Sequence, residues 1–278
     1  MIIDDHVHLG GLYQDTDYFL HCLDEANVDS VLATPYMFEE ENIPMALKIK
    51  WIPPQLVAMK PVLNIVSKTM GSNKFGKRYI KKPPNEYVAS KVQEYPDRIK
   101  GVYWTNPNLE SPEEAEKNIK EYGFVALKFH QVLYPCKFKE NCSDYLDMAV
   151  DMEIPVFIHT GTPDDVRCLA KHIEKKTDLK VILAHMNFYE EIAEDIKDVS
   201  NIYLDISPVY AQNTKRMKHA LDNIGAERLI FGTDAPCPGY YKYALNRVNK
   251  LDIPQVDKNK IMGENIMNLI EKRATVKN

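Results

Sequence analysis

Eight short apolar segments recur along the chain, and most of them are followed by a segment with helical spacing. Strands that are buried on both faces of a parallel sheet are apolar at nearly every position, as these segments are. The segments are residues 2–6, 28–34, 99–104, 124–129, 155–159, 180–185, 201–206 and 228–233. Eight strands that alternate with helices predict an α/β fold, namely a (β/α)8 TIM-like barrel.

The connections between the strands carry recognisable helix starts. Ser111-Pro112 and Thr162-Pro163 each combine a capping hydroxyl with a proline in the first turn, and two acidic residues follow in both cases. Helical spacing also covers residues 144–152, 187–199 and 213–224. An open, doubly wound sheet is the alternative, but no GxGxxG turn follows any strand to support a dinucleotide site.

The length of 278 residues fits a single barrel domain spanning residues 1–278, since such barrels have roughly 250 residues. One connection is longer than a barrel needs. We expect residues 35–84 to form an insertion after the second strand, acting as a lid or as a subunit interface. Its stretch from 67 to 85 contains six Lys or Arg and no acid. This basic stretch is a solvated loop or subunit contact, or else a recognition element for an anionic substrate group.

Composition narrows the class of protein. The formal net charge of −5 argues against general nucleic-acid binding. The N-terminus lacks the pattern of a signal peptide, and no apolar run reaches 18 residues, so we expect no membrane segment. Five cysteines, without CxxC spacing, are expected to be reduced thiols in a cytoplasmic protein.

Side chains that bind metals or carry protons follow the predicted strands. Residues two apart on a strand share a face, so His6 and His8 should point the same way from the first strand. In a barrel, the carboxyl ends of all strands meet at one mouth, and neutral imidazoles there are good ligands for transition metals. The other candidates at strand ends are Lys128, His130, His159, His185 and Asp234. Together these residues predict a metal site at the mouth.

This pattern resembles the amidohydrolase superfamily, specifically the amidohydrolase-related (amidohydrolase 2) branch of metal-dependent TIM-barrel hydrolases and decarboxylases. The resemblance extends over nearly the whole chain, and it rests on seven segments. They are IIDDHVHLG, ALKFH, PVFIHTG, VILAHMN, IYLDIS, RLIFGTDAP and KIMGENIMNLI. The resemblance implies a distorted barrel and a bound divalent metal, most often zinc. One ion is favoured, because this branch usually uses one, and two are possible.

The resemblance also implies the ligands: His6, His8, His159 and Asp234 would bind the ion. His185 would bind a second ion or polarise the substrate. A strand-four lysine is carboxylated in two-metal members, and Lys128 occupies a similar place. Three alternatives stay open for Lys128: carboxylation, orientation away from the ion, or binding of a substrate anion.

The chemistry of these residues agrees with the resemblance. A zinc-bound water has a pKa lowered towards about 7 and can attack a carbonyl-type carbon. Asp234 can accept a proton from that water and pass it to the leaving group, and His185 can stabilise the developing oxyanion. We also expect Lys128 and His130 to contact the substrate, although a structural role for His130 is an equal alternative.

The resulting interpretation is a metal-dependent hydrolase acting on a small, carboxylate-bearing compound. Two alternatives remain: a metal-dependent decarboxylase or hydratase on the same scaffold, and a metal-binding barrel without catalysis. The expected partner is a small-molecule substrate, with no nucleic acid and no membrane, and a homodimer is possible.

Overall fold

The computed structural model describes residues 1–37, 81–138, 142–207, 214–236 and 241–271. Eight strands form one parallel sheet in sequence order, with helices in the connections between them. The strands are β1 (Ile3–Leu9), β2 (Ser30–Pro35), β3 (Ile99–Trp104), β4 (Ala126–His130), β5 (Val156–His159), β6 (Val181–Leu183), β7 (Ile202–Asp205) and β8 (Leu229–Ile230). The prediction of a (β/α)8 barrel is confirmed. Of the expected insertion at 35–84, residues 38–80 lie outside the described part of the chain.

Ten α-helices are present in the described residues. They are α1 (Thr16–Ala26), α2 (Asn85–Glu94), α3 (Pro112–Tyr122), α4 (Ser143–Asp151), α5 (Pro163–Ile173), α6 (Tyr189–Ile196), α7 (Thr214–Ile224), α8 (Tyr241–Asn249), α9 (Gln255–Asn259) and α10 (Asn265–Ile270). The predicted caps of α3 and α5 are confirmed: Ser111 Oγ and Thr162 Oγ1 each accept a backbone N–H at 3.2 Å. None of the described helices has both the length and the apolar character needed to cross a bilayer.

Backbone hydrogen bonds between β1 and the segment after β8 close the barrel. The amide of Asp5 donates to Phe231 O at 3.0 Å, the amide of Asp234 donates to His6 O at 2.9 Å, and that of His8 donates to Ala235 O at 2.6 Å. The barrel therefore closes through the residues of the candidate site. This brings Asp234, near the end of the chain, beside the two N-terminal histidines.

Apolar side chains fill the amino end of the barrel interior. These side chains, here called the inner cluster, come from seven strands and from α10. They are Ile3, Leu32, Val102, Ala126, Phe157, Ile182, Ile230, Ile266, Leu269 and Ile270. A second, larger cluster packs the outer face of the strands against the surrounding helices. The inner cluster fills the interior below the carboxyl ends of the strands.

A β-bulge in β1 decides which way the two histidines point. Asp4 pairs with Val31 and Val7 pairs with Ala33, so two residues of β1 lie opposite one residue of β2. Ile3 belongs to the inner cluster, whereas Val7 packs in the outer one. Strict alternation from Ile3 would turn Val7 inward and the histidines outward. The bulge reverses this order and turns His6 and His8 into the barrel.

Several strand boundaries differ from the sequence-based ones, and three of the differences concern His6 with His8, His185 and Asp234. β1 continues to Leu9, so His6 and His8 lie within the strand. β6 ends at Leu183, and His185 lies in a 3-10 turn with φ of 65°. β8 has only two residues, so Asp234 lies beyond it, with φ of 57°. Both residues have the left-handed backbone that non-glycine residues seldom adopt, so pattern alone did not predict these turns.

Candidate metal centre

A polar layer lies directly above the inner cluster. Interior positions of a strand are two residues apart, so each strand presents its next interior residue towards the carboxyl end. These residues are Thr34, Trp104, Lys128 and His159, which follow Leu32, Val102, Ala126 and Phe157. Thr34, Trp104 and Lys128 are at most 2% exposed. The barrel thus changes from apolar to polar within one layer.

His6, His8 and Asp234 form a group with the geometry of metal ligands. Asp234 Oδ1 lies 3.7 Å from His6 Nε2 and 3.6 Å from His8 Nε2. One ligand atom from each of the three buried residues lies within 4.8 Å of the other two. The closure of the barrel brings these atoms together, since β1 carries the imidazoles and the turn after β8 carries the carboxylate.

Hydrogen bonds at Nδ1 fix the orientation of both imidazoles. His8 Nδ1 lies 2.6 Å from Pro35 O, which can only accept, so His8 donates there. His6 Nδ1 lies 2.7 Å from Asp205 Oδ2. In the neutral ring, a proton on Nδ1 leaves a lone pair on Nε2. Both Nε2 atoms therefore present lone pairs on the side where Asp234 lies.

Asp205 organises a second group around His185. Asp205 Oδ2 accepts hydrogen bonds from the Ser207 hydroxyl at 2.5 Å and from the His185 backbone N–H at 3.2 Å. His185 Nδ1 lies 3.0 Å from Ser207 Oγ. Because the Ser207 proton is given to Asp205, His185 donates from Nδ1 and keeps its lone pair on Nε2. His6, His185 and Asp205 also bring one ligand atom each within 4.8 Å of the others.

Lys128 lies against the histidine pair. Its Nζ is 2.7 Å from His6 Nε2 and 3.3 Å from His8 Nε2. The side chain is 2% exposed and has its ammonium 5.3 Å from the centre of the Trp104 ring. The ammonium faces the histidine pair in this structure. Carboxylation, orientation away from the ion and contact with a substrate anion all stay open as alternatives for Lys128.

Six rings form a closed circuit around the mouth, here called the aromatic belt. The centroid distances are 5.4 Å for His6–His8, 5.5 Å for His8–Trp104, 5.8 Å for Trp104–His130, 4.0 Å for His130–His159, 4.8 Å for His159–His185 and 4.9 Å for His185–His6. His130 and His159 stack with an angle of 9° between their planes. The belt connects every histidine that the sequence placed at a strand end.

Burial controls the protonation of the site. Desolvation, strengthened by the Lys128 charge, lowers the pKa of His6 and of His8 well below its usual value, so both rings are neutral. The same two causes lower the pKa of His159 to about 3. Desolvation raises the pKa of Asp234 to about 8, although Lys128 opposes this shift. Without an ion, the site therefore favours neutral imidazoles and a protonated carboxyl group.

The residues fit a divalent transition metal. Two neutral imidazoles and a carboxylate are ligands that zinc and similar ions accept. Ligand atoms about 2.0–2.1 Å from a tetrahedral ion lie about 3.4 Å from one another, close to the separations of Asp234 from the two imidazoles. The Nδ1 partners of His6 and His8 are the outer contacts that metal-binding histidines usually have. The Lys128 ammonium must shift or lose its charge when an ion binds between these ligands.

The structure brings together three of the four predicted ligands, namely His6, His8 and Asp234. His159 belongs to neither ligand group in the described residues, and instead stacks on His130 and meets His185 edge-on. Its role as a ligand stays a prediction. The sequence interpretation gave no role to Asp205 and Ser207. The other candidates were found because they are polar residues at the carboxyl ends of strands. Asp205 ends β7 and meets the same criterion.

An eight-stranded α/β barrel with imidazoles and carboxylates at the carboxyl ends of its strands defines a TIM-barrel enzyme with a candidate metal centre. A family model described as Amidohydrolase matches residues 55–270. The chain therefore belongs to the amidohydrolase family, as the resemblance predicted. The match includes Lys128, His159 and Asp234, but begins after His6 and His8. No curated protein matches the chain.

Solved structures share the fold at low sequence identity. One is 4-oxalomesaconate hydratase from Rhodopseudomonas palustris, with 16% identity, a TM-score of 0.65, and coverage of 99% of this chain and 97% of that one. Another is a probable 2-pyrone-4,6-dicarboxylic acid hydrolase from Acinetobacter baumannii, with 16% identity, a TM-score of 0.66, and coverage of 97% and 98%. A third is a dihydroxybenzoic acid decarboxylase from Polaromonas with bound manganese, with 16% identity, a TM-score of 0.60, and coverage of 97% and 96%.

Proposed function

We propose that this protein is a metal-dependent hydrolase that acts on a small, carboxylate-bearing compound. The observation that supports this most strongly is the convergence of His6, His8 and Asp234, with ligand atoms within 4.8 Å of one another. Membership of the amidohydrolase family adds to it. We propose zinc as the ion. Manganese is the alternative, since ligands of this kind accept several first-row metals and a solved structure with this fold contains manganese.

In the proposed reaction, His6, His8 and Asp234 would hold the ion. A bound divalent ion supplies a Lewis acid that polarises a substrate oxygen and activates water. Asp234 takes a proton from the attacking water and gives it to the leaving atom, serving as base and then as acid. Asp205 keeps the His6 ring in place throughout. The buried walls of the site restrict bulk water, so Asp234 exchanges its proton with the reacting groups.

The hydrogen bonds change the role proposed for His185. Stabilisation of an oxyanion needs a donor, but the neutral ring donates to Ser207 from Nδ1 and has only a lone pair on Nε2. We therefore propose His185 as an acceptor for a substrate hydroxyl, or as a ligand of a second ion, in both cases through the lone pair on Nε2.

A lyase reaction, decarboxylation or hydration, is the second candidate. Burial raises the pKa of Asp234 to about 8, so without the ion this carboxyl group holds a proton at neutral pH. A buried acid of this kind suits the delivery of a proton to carbon, which replaces the lost carboxylate in a decarboxylase. The structural similarity to a hydratase and to a decarboxylase is compatible with this candidate.

One experiment separates the candidates. Purified protein of measured zinc and manganese content is incubated with a panel of lactones, esters, amides, aromatic carboxylic acids and unsaturated carboxylic acids in H2 18O and in D2O. Hydrolysis incorporates 18O into the product without deuterium on carbon. Decarboxylation releases CO2 and places deuterium on carbon, and hydration adds both 18O and deuterium to the product. Asp234→Asn should lose turnover by at least about 100-fold, and the exposed Asp222→Asn is the matched control. Full activity in Asp234→Asn would remove it as the proton carrier.

A further inference from the structure

Two buried polar atoms in the layer above the inner cluster have no hydrogen-bond partner in the described part of the chain. They are the indole Nε1 of Trp104 on β3 and the hydroxyl of Thr34 on β2. Trp104 is 0% exposed and Thr34 is 2% exposed. A buried N–H without a partner is costly, and an indole N–H can only donate. The position of Trp104 in the interior layer, next to the reacting groups, makes a ligand the natural acceptor for this proton.

Donors lie on the β3–β4 side of the aromatic belt. The backbone N–H of Leu133 approaches His130 Nδ1 at 3.3 Å, so the neutral His130 ring carries its proton on Nε2. The ring of His130 lies nearly parallel to that of Trp104, at 19°. The Lys128 ammonium lies 5.3 Å from the centre of Trp104. This side of the belt therefore offers N–H groups, whereas His6 and His8 offer lone pairs.

We propose that Trp104, Lys128 and His130 form a carboxylate-binding subsite beside the metal ligands. This inference rests on the proposed function, because it assigns a place to the substrate's carboxylate. One ammonium matches the single charge of a carboxylate, and the two neutral N–H groups supply donors for its oxygens. The hydroxyl of Thr34 completes the set from the neighbouring strand. Trp104 is thus a specificity-determining residue and not only a packing residue.

The test measures binding, not turnover. Isothermal titration calorimetry on the purified protein, with its metal content measured, uses benzoate as the probe and benzamide as its neutral analogue. Trp104→Phe keeps an aromatic ring and removes the N–H. We expect benzoate to bind the wild type, to bind Trp104→Phe about tenfold more weakly, and benzamide to bind neither. Tyr189→Phe, a buried aromatic that contacts His219 away from the belt, is the matched control.

Thr34→Val provides a second variant of nearly equal size if Trp104→Phe does not fold, and it should weaken benzoate binding several-fold. Equal benzoate affinity in the wild type and in the folded variant would overturn the subsite. Benzoate binding that is lost on metal removal but is the same in the wild type and the variant would also overturn the subsite, since the ion alone would then hold the anion. So would sulfate binding that depends on Trp104 without any benzoate binding.

Failure of the subsite and failure of the proposed function give different results. Trp104-dependent benzoate binding without turnover of any panel compound would support the subsite and count against the enzyme reaction. Turnover of a panel carboxylate with an unchanged KM in Trp104→Phe would keep the reaction and remove the subsite.

Discussion

Asp205 Oδ2 on β7 lies 2.7 Å from His6 Nδ1 on β1, and only β8 separates these two strands in the barrel. The same oxygen accepts hydrogen bonds from the Ser207 hydroxyl and from the backbone of His185. One buried carboxylate thus orients the imidazole of a candidate ligand and anchors the turn that carries another histidine. The candidate metal centre depends on a residue that would not itself need to touch the ion.

We expect Asp205→Asn to lower metal affinity by about 10–100-fold while the fold is kept, because partners behind a metal-binding imidazole typically contribute this much. An amide oxygen in place of Oδ2 can still accept from His6, Ser207 Oγ and the His185 backbone, but an N–H2 in place of Oδ1 cannot accept the Ser207 backbone N–H, which lies 2.6 Å from that oxygen. Metal content after dialysis against a graded chelator, together with circular dichroism, measures the effect. Asp222→Asn is the exposed control, and equal metal retention in the two variants would contradict the assignment.

The sequence predicted the barrel and the residues at its mouth because both follow from periodicity. Buried parallel strands are continuously apolar, and their carboxyl ends meet at one mouth whatever the details of packing. His6, His8, Lys128 and Asp234 were therefore identifiable without coordinates. Asp205 satisfied the same rule, and it was missed because an aspartate at a strand end is also common in ordinary turns.

Other features depend on relations between strands that sequence patterns do not contain. The bulge between Asp4 and Val7 exists only relative to β2, and it reverses the inward and outward positions of β1. The stacking of His159 on His130 depends on the register of β4 and β5, in which these two residues are partners. The donor role of His8 at Nδ1 depends on the carbonyl of Pro35 in the next strand.

Lys128→Met should distinguish the states of the lysine. The ammonium lies within 3.3 Å of both candidate imidazoles, so its positive charge opposes ion binding. Removal of the charge should raise the affinity for the first ion. If the lysine is instead carboxylated, the variant should lose one ion of two. The metal-to-protein ratio and a zinc titration by fluorescent chelator competition give the answer, with Lys120→Met as an exposed control.

The stability of the metal-free protein should depend on pH through Asp234. Burial raises its pKa from 3.8 to about 8, so between these values the folded state holds a proton that the unfolded state has lost. Stability then falls as pH rises across this window, by up to about 1.4 kcal/mol per pH unit for this group. Asp234→Asn should remove the contribution of this group to the pH dependence. The unfolding free energy of the variant should therefore rise relative to that of the wild type as pH increases. Urea unfolding between pH 5 and 8 measures it, and parallel curves would contradict the assignment.

Metal binding should show the opposite pH dependence. The Asp234 carboxyl must lose its proton to act as a ligand, so affinity should rise as pH approaches 8. Calorimetric titration in buffers with different ionisation enthalpies should detect proton release on zinc binding. If almost no protons are released on zinc binding at pH 7, Asp234 is not a protonated carboxyl group that loses its proton to become a ligand.

Gly232 has no room for a side chain. A Cβ there would lie 2.3 Å from Asp5 Oδ1, 2.5 Å from Asp205 Oδ1 and 3.2 Å from His6 Cβ. Gly232→Ala should cost about 1–3 kcal/mol of unfolding free energy and reduce metal retention, because Asp205 would be displaced from His6. Gly123→Ala is the control: its Cβ would meet nothing within 4 Å, and only its left-handed φ of 68° costs stability. Unchanged metal retention in Gly232→Ala would contradict a role of Asp205 in metal binding.

The inner cluster also determines where substrate can enter the barrel and where product can leave it. Ile266, Leu269 and Ile270 of α10 pack into the amino end of the barrel and close the interior at that end. Substrate must arrive, and product must depart, by the same rim, so the two compete for one passage. Release of product can then limit the turnover rate even when bond cleavage is fast.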